Sequence, residues 1–181
     1  MRILRAADRK ASPWKNGGGV TWEVAASPEG ATLDTFDWRL SVAEVVSGGP
    51  FSNFPGVDRV LTLIQGDGLQ LRIDCDPPVL LGASSPPLAF AGDAACRAEL
   101  AGAPIRDLNV MVRRGAFRAV VRRADGPLEL TSACEVLAAL ALEAAEVNGL
   151  WLHREDLALS GPNERLRLGL GRFVVVELVR T

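Results

Sequence analysis

From Phe36 to Val46 the chain reads FDWRLSVAEVV, with Phe36, Trp38, Leu40 and Val42 on one parity and Asp37, Arg39, Ser41 and Ala43 on the other. A period of two is what a pleated strand produces, because successive side chains leave its opposite faces. A helix could not bury that pattern on one side. Segments of the same kind recur along the chain. Val20 to Ala25 is rich in β-branched and aromatic residues, and Pro104 to Gly115 reads PIRDLNVMVRRG. Arg59 to Asp74, RVLTLIQGDGLQLRID, predicts two strands joined as a hairpin through Gly66-Asp67-Gly68. Pro77-Pro78 and Pro86-Pro87 then interrupt. Short strands with a Gly or Pro turn roughly every ten residues predict an all-β chain, a sandwich or a barrel, with little helix.

The second half follows the first loosely. Glu135 to Gly161 can be laid on Arg59 to Asp93, and RFVVVELVR (Arg172 to Arg180) on DLNVMVRR (Asp107 to Arg114). One stretch resists. Residues 134–145 are rich in Ala, Leu and Glu, which are good helix formers. Propensity reads them as a helix and the internal repeat reads them as strands. The repeat favours two stacked β-barrel halves.

A chain of 181 residues is one large domain or two small intimate ones, and can bury a sizeable core. A net charge of −2 with interspersed signs excludes the basic face that a nucleic-acid partner requires. The longest uncharged apolar run, Val136 to Leu142, is far too short to span a bilayer, and the charged Met1 to Lys10 does not read as a signal peptide. Cys75, Cys96 and Cys134 are odd in number and widely spaced. They read as reduced thiols of a cytoplasmic protein. With His153 as the single histidine and no Cys cluster, one chain cannot assemble an imidazole or thiolate metal site. No metal and no cofactor are expected.

Residues 14–19 read Trp-Lys-Asn-Gly-Gly-Gly, immediately before a strand. The glycines suggest a phosphate loop, but such a loop places Lys after the glycines and a helix after Lys, and here Lys15 comes first and Val20-Thr21-Trp22 follows. No GxGxxG or GxSxG occurs either. Two readings remain. Gly19 and its neighbours let backbone or a ligand approach closely, with Trp14 as an apolar wall and Lys15 and Asn16 as polar contacts. Alternatively, they form a turn at a barrel end with Trp14 simply packed.

PWKNGGGVTWEVA, FDWRLSVAEVVSGGPFSNFPGVDRVLTLIQGDGLQL, FAGD and DLNVMVRRG occur in the order found in the HutD/Ves family of cupin-like proteins. The resemblance is specific from Ser12 to Gly115 and weaker beyond. It implies a bicupin, with residues 1–115 as an N-terminal barrel holding the ligand pocket and 116–181 as a degenerate second half, strands being free to exchange between them. RVLTLIQGDGLQL resembles the first cupin motif, but FPGVDR before it lacks the histidines that bind metal there. The resemblance further implies a role beside histidine utilisation, binding a small acid such as formylglutamate or urocanate and restraining the pathway.

In a barrel, alternate strand positions line the interior. If the Trp38 face packs outward, Arg39 and Ser41 point inward. A buried Arg bound to a carboxylate gains about 1.5–3 kcal/mol. Arg39 therefore reads as a carboxylate anchor, or else as an internal ion pair with Asp37, Glu44 or Glu23. Arg59 reads as a second cation, or as a local pair with Asp58. Asn109, polar in an apolar strand, is expected to hydrogen-bond inside, with Asp107 and Met111 on its face. His153 reads as exposed. The candidate ligand-binding set is thus Trp14, Lys15, Asn16, Gly19, Thr21, Arg39, Ser41, Arg59 and Asn109, with no catalytic residue. A non-catalytic carboxylate binder leads. The alternatives are a metal-independent isomerase or hydrolase using Lys15 or Glu44, and an interaction module, which leaves a homodimer open.

Overall fold

The computed structural model describes residues 1–131 and 133–181. The chain divides into two units, Lys10–Arg114 and Met1–Arg9 with Gly115–Thr181. The first nine residues, read above with the N-terminal barrel, therefore group with the C-terminal segment. Regular structure among the described residues is strand throughout, apart from one 3-10 turn at Ala6–Asp8.

The Lys10–Arg114 unit has two sheets. One runs β2 (Ala11–Pro13), β3 (Gly19–Ser27), β4 (Trp38–Val45), β11 (Ile105–Arg113), β6 (Val57–Gln65) and β9 (Leu88–Ala91). The other runs β5 (Gly49–Pro50), β10 (Cys96–Leu100), β7 (Leu69–Ile73) and β8 (Val79–Leu81). The apolar parity of each strand turns into a shared core. Val45, Leu61, Leu63 and Ile105 from the first sheet meet Leu69, Leu71, Leu81 and Ala98 from the second. Each fully buried Leu or Ile contributes about 1.5–3 kcal/mol.

In the other unit the sheets run β1 (Arg2–Leu4), β17 (Leu157–Ser160), β14 (Val136–Ala141), β19 (Arg172–Arg180), β12 (Phe117–Asp125), and β13 (Leu128–Thr131), β18 (Arg165–Leu168), β15 (Ala145–Val147), β16 (Leu150–Leu152). The strand order β9-β6-β11-β4 recurs as β17-β14-β19-β12, and β5-β10-β7-β8 recurs as β13-β18-β15-β16. The repeat read from the sequence is thus a repeat of topology. In this unit the equivalent interior is packed with Leu137, Leu166, Leu168, Phe173 and Val175.

One question left open by the sequence is answered, and one local expectation, the hairpin, is corrected. Residues 134–145 contain strand β14 and not a helix: Val136–Ala141 is buried on both faces and laddered to β17 and β19. Pairing with two neighbours outweighs a propensity difference of a few tenths of a kcal/mol per residue. The Arg59–Asp74 segment makes the two strands expected but no hairpin. β6 pairs with β11 and β9, while β7 pairs with β10 and β8 in the other sheet. Gly66, at φ +109°, turns the chain between sheets, and a Cβ there would lie 2.6 Å from Ile105 Cγ2.

Candidate functional site

The inward parity of the large sheet changes character along its strands. On β6 it passes from Leu63 and Leu61, in the core, to Arg59. On β4 it passes from Val45 to Ala43, Ser41 and Arg39. Register places Asn109 opposite both Ser41 and Leu61, and Met111 opposite both Arg39 and Arg59. Thr21 and Glu23 of β3 extend the same face opposite Ala43 and Ser41. Where apolar side chains stop filling the interior, a cavity of about 690 Å³ remains. Its lining includes Trp14, Lys15, Asn16, Thr21, Arg39 and Ser41. Arg59, Asp107 and Asn109 lie in it as well. Of the candidate set, Gly19 alone is absent from the lining.

Gly19 acts from behind. Its amide carbonyl accepts from Trp14 N–H at 2.9 Å, and a Cβ there would overlap the carbonyl oxygen of Glu44 and sit 3.2 Å from the Trp14 ring. The indole is then aimed by Nε1–H donating to Thr21 Oγ1 at 2.8 Å. Gly17 supplies the turn at φ +71°, and Asn16 Oδ1 closes it by accepting from Gly18 N–H at 3.0 Å. The glycines thus allow a tight turn and a close approach of backbone at Gly19, and the turn carries Trp14 to the cavity. Lys15 and Asn16 are exposed on the turn.

The two inward arginines differ. Arg39 Nε donates to Glu23 Oε2 at 2.9 Å and Nη1 to Ser41 Oγ at 3.2 Å. Of the ion-pair partners weighed for it, Glu23 is the one found. Glu44 instead binds Arg106 at 3.1 Å, and Arg106 covers Trp22, all three on the opposite face. That removes Glu44 from the cavity. Arg59 does not pair with Asp58, which binds Arg114. It turns inward, is 5% exposed, and lies between three phenyl rings, with its Cζ 5.1 Å from Phe51, 5.4 Å from Phe54 and 5.0 Å from Phe90. Among the described residues its one side-chain hydrogen bond is a long one, 3.5 Å to Asn109 Oδ1, and no carboxylate pairs with it. Burial pulls its guanidinium below the ordinary Arg value, opposed by the field of Asp107 and then of Cys96.

Asp107 is the residue that sequence reasoning placed on the right face and left out of the site. It is 2% exposed, lines the cavity, and accepts no hydrogen bond from the described residues. Burial pushes its carboxyl up to about 7, against the opposing pull of Arg59 and Arg106. The aromatic cage was missed too. Phe51, Phe54 and Phe90 are scattered over loops and an edge strand, and no local spacing brings them together. His153 is exposed, and its backbone is engaged by Asp156, its N–H donating to Asp156 Oδ2 at 2.9 Å and its carbonyl accepting from Asp156 N–H at 3.0 Å.

A cupin metal site does not fit here. The cavity has two carboxylates, Glu23 held by Arg39 and Asp107 beside Arg59, with no histidine in its lining. Among the described residues no group of three His, Cys, Asp or Glu side chains is placed to hold a metal ion, and no helix is long and apolar enough to cross a membrane. What the cavity offers is a desolvated cation on an aromatic floor, a second cation shared with Glu23, a carboxyl that titrates near neutrality, and an indole wall.

The family model described as HutD matches residues 6–171. A Pseudomonas putida protein, described as an uncharacterized 21.2 kDa protein in the hutC 3′ region, is 36% identical over 99% of this chain and 97% of its own. Protein Ves of Citrobacter koseri is 42% identical over 62% of this chain and 58% of its own. Among solved structures, HutD from Pseudomonas fluorescens SBW25, in a formate condition, superposes with a TM-score of 0.90 at 32% identity, covering 99% of this chain and 98% of that one. A cupin 2 conserved barrel domain protein from Leptotrichia buccalis superposes with a TM-score of 0.60 at 8% identity, covering 98% of this chain and all of that one, a likeness of fold alone.

Proposed function

The chain belongs to the HutD family, and from that premise we propose that its Lys10–Arg114 unit binds a small carboxylic acid, formylglutamate or urocanate, without catalysing a reaction on it. One observation carries the reading: Arg59, a buried guanidinium facing a cavity with no carboxylate among the described residues paired to it. Taking a cation out of water costs several kcal/mol unless a counter-ion or good hydrogen bonds offset it. Three ring faces offset part, at about 0.5–2 kcal/mol for a cation–π contact. A ligand carboxylate against Arg59 supplies the rest, as a charge-assisted pair in a water-poor setting. Trp14 and Met111 present apolar surface to the ligand body, and Ser41 and Asn109 hydrogen-bonding groups. The hutC-region name of the Pseudomonas putida relative agrees with a place beside histidine utilisation.

Titration calorimetry with formylglutamate, urocanate and an uncharged amide of each tests it. Binding of an acid and none of its amide is expected; equal binding of both would end the carboxylate reading. Arg39 contributes less than Arg59 because Glu23 holds it. Arg39→Ala is expected to weaken acid binding about tenfold while leaving the melting temperature of the unliganded protein within a few degrees, since a pair open to solvent on its Glu23 side contributes about 0–1 kcal/mol. Calorimetry and thermal melts of the variant check both halves.

An enzyme in the same cavity is the second reading, favoured by Asp107, a carboxyl titrating near 7 beside an anchor for the substrate. Incubation of formylglutamate or urocanate with the protein, followed by NMR, separates the two. Unchanged substrate favours the binder.

A further inference from the structure

We propose that Asp107 enters the binding site as the acid and donates a hydrogen bond to the ligand carboxylate held by Arg59, so that each anion bound brings a proton with it. This rests on the carboxylate reading of the cavity and adds to it the state in which the site is competent.

The geometry leads here before any titration does. Asp107 and Arg59 share one cavity and one face, Asp107 two residues along β11 from the Asn109 that Arg59 reaches. Among the described residues Arg59 and Asp107 interact through their fields without a salt bridge. A carboxylate that docks on the guanidinium therefore comes to rest near the Asp107 carboxyl, at the buried end of the cavity. Two carboxyl groups in such a place cannot both be ionised, and sharing one proton converts repulsion into a short O–H···O⁻ hydrogen bond. The balance is simple: solvent supplies the proton, it stays on Asp107 Oδ, and no covalent bond forms or breaks. The other charged and titratable groups facing this part of the cavity come from several elements. They are Arg59 from β6, Arg39 from β4 latched to Glu23 of β3, Lys15 on the glycine turn, and Cys96 of β10, coupled to Arg59 by its field, whose burial pushes its thiol above the usual range. Arg106, the chain neighbour of Asp107, has its guanidinium engaged by Glu44. A titration of Asp107 near 7 makes the linkage visible at ordinary pH.

The sign follows from linkage. An anion raises the proton affinity of Asp107, so the bound protein holds more protons than the free protein wherever free Asp107 is ionised. Below about pH 6 both forms are protonated and affinity is flat. Above neutrality each ligand carries in a proton, and affinity falls about tenfold between pH 6 and pH 8.

The experiment is calorimetric titration of the whole chain with N-formylglutamate at pH 8 in HEPES and again in Tris, whose ionisation enthalpies differ. About one proton taken up per ligand is expected, together with the tenfold fall from pH 6. Asp107→Asn places a permanent N–H donor where the acid stands, and is expected to bind at pH 8 as wild type does at pH 6, with no proton uptake. Binding by wild type with the same heat in both buffers overturns the proposal and leaves the carboxylate site standing. Affinity that rises with pH also overturns it, and assigns ionised Asp107 to a cationic or N–H part of the ligand. Absence of binding at every pH removes the site and the proposal together. The wild-type buffer comparison decides the matter even if the variant does not fold.

Discussion

Replacing Arg59 by methionine is expected to weaken binding of the acid at least a hundredfold while leaving the unliganded protein no less stable than wild type. A hundredfold is about 2.7 kcal/mol, the size of a charge-assisted, largely desolvated pair. The stability half of the expectation is less obvious. Arg59 is buried among Phe51, Phe54 and Phe90 and lacks a carboxylate partner among the described residues, so removing its charge removes a desolvation penalty along with three cation–π contacts. Methionine keeps an unbranched stem and a polarizable sulfur against the rings. Asp107 loses the larger of the two cationic pulls on its carboxyl, which shifts it further toward the protonated, neutral form at pH 7. Arg59→Lys is expected to fall between, because an ammonium cannot grip a carboxylate with two parallel N–H donors. Calorimetry and thermal melts on the three proteins are sufficient. Methionine binding within threefold of wild type would remove Arg59 as the anchor.

Gly19→Ala is expected to destabilise the protein by about 3 kcal/mol and to weaken ligand binding with it. The added methyl would overlap the carbonyl oxygen of Glu44, in the β3–β4 ladder, and press on the Trp14 ring at 3.2 Å. Neither is the free end of a flexible side chain, so backbone must move or the strands must part, and overpacking of that kind costs about 1–3 kcal/mol or more. Gly49→Ala is the matched control. A methyl on Gly49 would meet no heavy atom within 4 Å, and Gly49 has no positive φ, so the denaturant midpoint of that variant should stay at the wild-type value. If Gly19→Ala and Gly49→Ala unfold alike, the close packing of Trp14 on Gly19 does not position the indole.

Much of the site was legible from local pattern. The alternation through Trp38, Arg39, Leu40 and Ser41 sorts those side chains onto two faces whatever the strand pairs with, because the pleat is a property of the strand itself. The same reasoning put Asn109, Asp107 and Met111 together before any neighbour was known. Arg59 was legible as a cation on a strand, yet its proximity to Asp58 in the chain suggested a surface pair. Adjacent residues on a strand point apart, and Asp58 accordingly goes out to Arg114 while Arg59 goes in. The aromatic cage was not legible, since Phe51 and Phe54 come from a loop and Phe90 from β9, where it lies opposite Arg59 of β6.

The amino-acid order alone determined that this chain is predominantly β, where most strands of residues 10–114 run, and which side chains share a face, because each of these depends on residues one or two apart. Tertiary structure decided the rest: β7 leaves β6 for another sheet, residues 134–145 become a strand, Arg39 meets Glu23, and Arg59 is sealed among rings beside an acid. Those outcomes depend on which distant surfaces come together as apolar area leaves water, a free-energy balance summed over the whole unit that no short window contains.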